Sequence, residues 1–128
     1  MKKFLLIAGI TVFVFGGGFL ALRGLLGKIY HSCTCYRFNI DNIEMRAHIN
    51  IPSVDSGNCD FDELALVKTN VFYLSMDQNL KNYAKKNKFQ RVTDSTYVHV
   101  GEQEDHSWDA KLNTNTGQLD VVIDYVNL

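Results

Sequence analysis

Three cysteines, a neighbouring histidine and one acid–histidine–hydroxyl run are the residues of this chain whose types and spacing could do chemistry. Cys33, Cys35 and His31 form an H-x-C-x-C cluster, and on an extended backbone the two thiols would share one face. Structural zinc sites draw their ligands from two separated pairs, and no second pair is present, so no metal is expected here. Oxidative pairing is the better use of the sulfurs. A bond between Cys35 and Cys59 would close a loop of about 25 residues, for which the chain-entropy estimate is roughly 2–4 kcal/mol. Cys33 is the alternative partner for Cys59, and otherwise the leftover thiol of an odd set. Asp105, His106, Ser107 and Asp109 put an acid, a base and a hydroxyl side by side. Catalytic triads take their members from separate elements, so this run reads as a polar loop before a strand. No nucleophile elbow, dinucleotide fingerprint, phosphate loop or H-E-x-x-H pattern occurs. The expectation is a protein without catalytic activity, cofactor or small-molecule substrate.

Charge is the next source of function. Lys81, Lys85, Lys86, Lys88 and Arg91 follow one another with no acid among them, and Asp94, Glu102, Glu104, Asp105 and Asp109 then follow with no base. Glu102, Glu104 and Asp105, beside Trp108, are the candidate partner-binding patch, an acidic edge with an aromatic anchor suited to a basic protein surface. The lysines are read as a solvated helix end, with anionic lipid headgroups as a further option. All 14 acidic residues but only nine of the 13 basic ones lie beyond residue 30, giving that part a formal charge of −5. Such a charge is repelled by phosphate backbones, which disfavours nucleic acid.

What must hold these groups in place begins with the N-terminus. Residues 4–22 are an uncharged, almost wholly apolar run, and 19 residues of helix rise about 28 Å, near the thickness of a bilayer's hydrocarbon core. Membrane lipid is therefore the expected partner of residues 4–22. A cleavable signal peptide is the competing reading: Lys2 and Lys3 supply a basic start, and Gly16 and Gly18 are the one pair of small residues a signal peptidase would accept. Cleavage there would leave an apolar mature N-terminus, so the uncleaved anchor is preferred. Tyr30 stands where lipidation at Cys33 would need an aliphatic residue, which argues against a lipoprotein. The basic residues flanking the run favour a cytoplasmic N-terminus only slightly. The chain divides into an anchor and linker at 1–30 and one α+β domain at 31–128. It is placed at the inner (plasma) membrane as a single-pass protein with its C-terminal domain extracytoplasmic, periplasmic in a Gram-negative cell.

Within the domain, residues 43–51 alternate apolar and polar with a period of two, as do residues 36–40. A turn at Asp41 and Asn42 would bring their apolar faces together as a hairpin closed by Pro52. Residues 53–60 read as a polar loop, followed by a helical turn and a buried strand over 67–74. Ser75 and Gln78 form a capping box opening a helix whose Met76, Leu80, Tyr83 and Ala84 share one face, ending near Asn87. Short strands are expected at 89–92 and 96–100. In the closing hairpin, Trp108, Ala110 and Leu112 face the same way as Leu119, Val121, Ile123 and Tyr125 across a turn at Asn115, Thr116 and Gly117.

The expected class is α+β, an N-terminal transmembrane helix followed by a small antiparallel sheet with one main amphipathic helix packed on it. Size, acidity and anchor resemble the general layout of bacterial envelope immunity proteins and small accessory lipoproteins, a resemblance of layout that carries no site. The functional expectation is a membrane-anchored binding module with a protein partner. The alternative is an assembly subunit recruited through its membrane helix, where Gly17 and Ala21 have small-xxx-small spacing.

Overall fold

A computed structural model describes residues 1–31, 33 and 36–126. The apolar start is helical. Helix α1 spans Lys2–His31, and its stretch Lys2–Leu25 is long and apolar enough to cross a membrane, with every residue of that stretch exposed. Helix α2 (Tyr36–Ala47) follows, then β1 (Val54–Asp62), β2 (Val67–Leu74), α3 (Leu80–Lys86), β3 (Gln90–Arg91), β4 (Thr96–Glu102), β5 (His106–Asn113) and β6 (Gln118–Tyr125). The six strands form one antiparallel sheet in the order β1-β2-β6-β5-β4-β3, so the fold is α+β with a membrane-length helix ahead of it.

The hairpin expected over residues 36–51 is instead helix α2 and the chain leaving it. Asn39, Asn42, Ile43 and Ala47 are buried at a helical spacing, whereas Met45, which the alternation places inside, is 58% exposed. Ile43 and Ala47 satisfy both periods, and Glu44, Met45, Arg46 and Ala47 are good helix formers. The helix stops at His48, whose left-handed backbone (φ 55°) is a common way of ending one. Residues 53–60 are not a loop: most of them form edge strand β1, which runs on to Asp62 where a helical turn was expected. Its polar residues sit at an edge, where one flank and one face meet water and β2 supplies the pairing. Helix α3 begins later than the capping-box pattern suggests. Asn79 caps it by accepting from the Asn82 amide at 3.0 Å, while Gln78 donates to the Ser53 carbonyl. Its buried face of Leu80, Tyr83 and Ala84 and its end at Asn87 are as expected.

The closing hairpin also matches its reading. Ala110, Leu112, Leu119, Val121 and Ile123 are fully buried, and with Phe72 and Leu74 they make the sheet side of a core that α2 and α3 cover. Gly117 has φ 77°, and an added Cβ would lie 2.7 Å from the Leu74 carbonyl oxygen, so the turn needs glycine. Gly101 is required by contact. The Trp108 ring lies flat over it, and a Cβ there would meet the indole at 2.2 Å.

Gly101→Ala is therefore expected to displace Trp108 and cost about 1–3 kcal/mol of stability, the usual range for overpacking. Because Trp108 is the only tryptophan, urea unfolding followed by intrinsic fluorescence reads both the loss and the shifted native spectrum.

Candidate functional site

A line of polar side chains runs beneath α2, where an apolar contact would be the simpler solution. Asn39, Asn42 and Arg46 recur at i, i+3 and i+7, so they descend one side of the helix toward the sheet. Asn39 Nδ2 donates to Asn70 Oδ1 at 2.8 Å. Asn42 Oδ1 accepts from Tyr125 Oη at 2.7 Å and from Lys68 Nζ at 3.3 Å. Lys68 is completely buried, and among the described residues no carboxylate pairs with it. Burial pulls its ammonium down to about 8, since a low-dielectric site penalises the charged form. Over residues 67–74 the sequence reads as a strand apolar on both faces. The strand is there, but Lys68 and Asn70 are among its inward residues, held by the asparagines of α2.

At the end of α2 the sheet supplies the caps. His106 Nε2 donates to the Arg46 carbonyl at 2.8 Å and His99 Nε2 to the Ala47 carbonyl at 3.1 Å, so adjacent strands satisfy two of the helix's last carbonyls. His106 Nδ1 faces Asp105 Oδ1 at 2.6 Å, and Arg46 Nη1 donates to Asp105 Oδ2 at 2.7 Å. The hydrogen bond from His106 and then that from Arg46 hold the Asp105 carboxyl below its usual value. Asp105-His106 was expected in a polar loop, yet His106 opens β5 and is 2% exposed. Its two nitrogens are committed to the helix end and to Asp105. The pair acts as a clasp between α2 and the β4–β5 hairpin.

Trp108 lies inside this clasp, with the rings of His48, His99 and His106 at 5.0, 6.0 and 5.6 Å. Of the four candidate patch residues, the three acids are exposed around the β4–β5 turn and Trp108 is directed inward. Glu102 and Glu104 are exposed, Asp105 turns to Arg46 and His106, and Trp108 packs inward over Gly101.

The sulfur assignment also changes. Cys33, not Cys35, is bonded to Cys59, while Cys35 lies outside the described residues. The bond fastens the chain leaving α1 to edge strand β1 and borders a cavity of about 240 Å³ lined by Tyr36, Asn39, Gly57, Asn58 and Phe72 with the two cysteines. No titratable side chain lines it beyond the Tyr36 phenol. Among the described residues no three metal-ligating side chains converge.

The feature that residue-by-residue reading missed is the other side of the sheet. No described helix covers it, and the strand register arranges its side chains in rows. Asp62, Val67, Asp124, Ser107 and Glu102 cross the sheet in one row, and Asp60, Thr69, Val122, Asp109 and Val100 in the next. Asp120 stands opposite Lys111, the one base at an outward position of these strands, and both line a hollow of about 160 Å³. Aliphatic side chains on this face are surrounded by carboxylates. The signal was present in the strands' second parity, for example Asp120, Val122 and Asp124, but only pairing places separate strands side by side.

Two measurements follow from the buried polar line and the clasp. Lys68 binds a proton more weakly folded than unfolded, so stability should rise as pH increases from 8 toward 10, by about 2–3 kcal/mol for a shift of this size. Lys68→Met should abolish that rise and be more stable than the parent at pH 7, as read by urea unfolding at each pH. For Asp105 the sign is opposite in position: its contribution is full above the ordinary value of 3.8 and fades as pH falls through the lowered folded value. Asp105→Asn should lower the melting temperature at neutral pH and flatten the acid limb of the stability curve.

No protein-family model matches this chain, and no curated protein and no solved structure matches it either.

Proposed function

We propose that this protein is a membrane-anchored binding module that presents the uncovered face of its sheet to a basic protein partner. One observation carries the reading: Val67, Val122 and Val100 are interleaved with Asp62, Asp124, Asp109 and Glu102 on a face to which no described helix is docked. The valines supply apolar contact area, and the like-signed carboxylates among them steer an oppositely charged partner and fix its register. Glu104, at the hairpin tip beside this face, adds to these carboxylates, whereas Asp105 and Trp108 serve the clasp.

The anchor is α1, whose Lys2–Leu25 stretch has the length and composition of a spanning helix. Exposure of the domain outside the cytosol is supported by the Cys33–Cys59 bond, because such bonds persist in oxidising compartments.

The test is capture with the full-length, detergent-solubilised protein, comparing the parent with Asp109→Lys combined with Asp124→Lys. The proposal expects one partner of basic surface to be recovered by the parent and weakened at least about tenfold by the double variant, a difference of about 1.4 kcal/mol. Equal recovery by both removes the sheet face from consideration. Recovery abolished instead by Gly17→Leu in α1, with the face variant unaffected, would assign the protein to the assembly-subunit class.

A further inference from the structure

We infer that the helix side of the domain lies on anionic lipid, with α3 as the contact, and that this contact is what turns the acidic sheet face away from the membrane. The inference rests on the membrane-anchored reading above and adds an orientation to it.

Nine basic residues lie beyond residue 30, and folding removes several from use. Lys68 is buried, Arg46 is paired with Asp105, Arg91 is paired with Asp94, and Lys111 faces the opposite side of the sheet. The exposed remainder is concentrated on α3 and its end. Leu80, Tyr83 and Ala84 hold α3 to the core, and this fixes Lys81, Lys85 and Lys86 outward, with Lys88 just beyond the helix and no acid within it. Arg37 on α2 is also exposed on the helix side, and Asp41, Glu44 and Asp77 offset only part of the charge of these five basic residues. The domain is therefore electrically two-sided, basic over its helices and acidic over its open strands.

The tether makes that asymmetry matter. Cys33 is bonded to β1 through Cys59, and it follows the end of the apolar stretch at Leu25 by eight residues, which is about 12 Å of helical rise. The headgroup layer takes up about 5–7 Å of that length, so the attachment point stands roughly 5–7 Å from the charged surface, inside its Debye length of roughly 8–10 Å at cellular ionic strength. The domain's remaining freedom is which side it turns to the lipid. An anionic surface repels the six carboxylates of the open face and attracts the lysines of α3, so both terms select the same orientation. Each basic side chain brought to such a surface is worth about a fivefold gain in occupancy.

Full-length protein in lipid nanodiscs tests this by residue-resolved acylation of lysine, with Lys111 as the internal control on the opposite face. In discs containing phosphatidylglycerol at low salt, Lys81, Lys85 and Lys86 should be acylated at least about fivefold more slowly than in phosphatidylcholine discs. Lys111 should be unchanged, and the protection should vanish at high salt. Lys85→Glu with Lys86→Glu should expose Lys81 while leaving the protein in the discs. Equal acylation in both lipids, or protection of Lys111 instead, overturns the inference while leaving the anchor intact. Protection that persists in phosphatidylcholine and grows with the number of chains per disc assigns α3 to a second copy of the chain and also overturns it. Protein that fails to enter discs of either lipid defeats the anchored reading itself, a result separate from all of these.

Discussion

A sheet of six strands has two faces to satisfy, and among the described residues beyond the membrane-length helix only α2 and α3 are helices to cover them, which is enough for one. Both helices lie on the same side, so each strand must send one parity of its side chains into a core and the other into water. The core that results is made of Phe72, Leu74, Ala110, Leu112, Leu119, Val121 and Ile123 under the apolar residues of the two helices. The uncovered parity meets water and holds carboxylates interleaved with valines. The charge asymmetry of the domain descends from that shortage of helices.

The attachment of α2 is unusual in its chemistry. Asparagines, an arginine and a buried lysine stand where leucines would give comparable area with no desolvation to offset. What the polar line supplies is register. Asn42 fits Tyr125 and Lys68 together, and Asn39 fits Asn70, so a helix displaced by one turn would leave several buried groups without partners. His99 and His106 fix the other end by capping α2 from two neighbouring strands. The Cys33–Cys59 bond fastens the entry to α2 against β1. Helix α2 is thereby located at its start, middle and end.

Several parts of this arrangement were legible in order along the chain. The 4–22 run, the buried face of α3 and the shared face of the closing hairpin each depend on periodicity within a few residues, and such patterns survive into the fold because they are local. The 36–51 segment failed for an equally local reason: Ile43 and Ala47 lie four apart, a spacing that suits a strand's alternation and a helix's turn alike, and only the exposure of Met45 separates the two. Where Trp108 points was illegible for a non-local reason. Glu102, Glu104, Asp105 and Trp108 are neighbours in sequence, and the three acids are exposed, but the alternation of β5 turns Trp108 toward Gly101 on the neighbouring strand.

The amino-acid sequence by itself determined the membrane-length helix, the α+β class and the supply of charge, because these follow from composition and short-range period. Tertiary structure decided which cysteine is bonded, which lysine is buried, which histidine is a cap and which carboxylates share a face. Each of those depends on residues tens of positions apart meeting across a sheet whose strand order and register no short stretch of sequence contains.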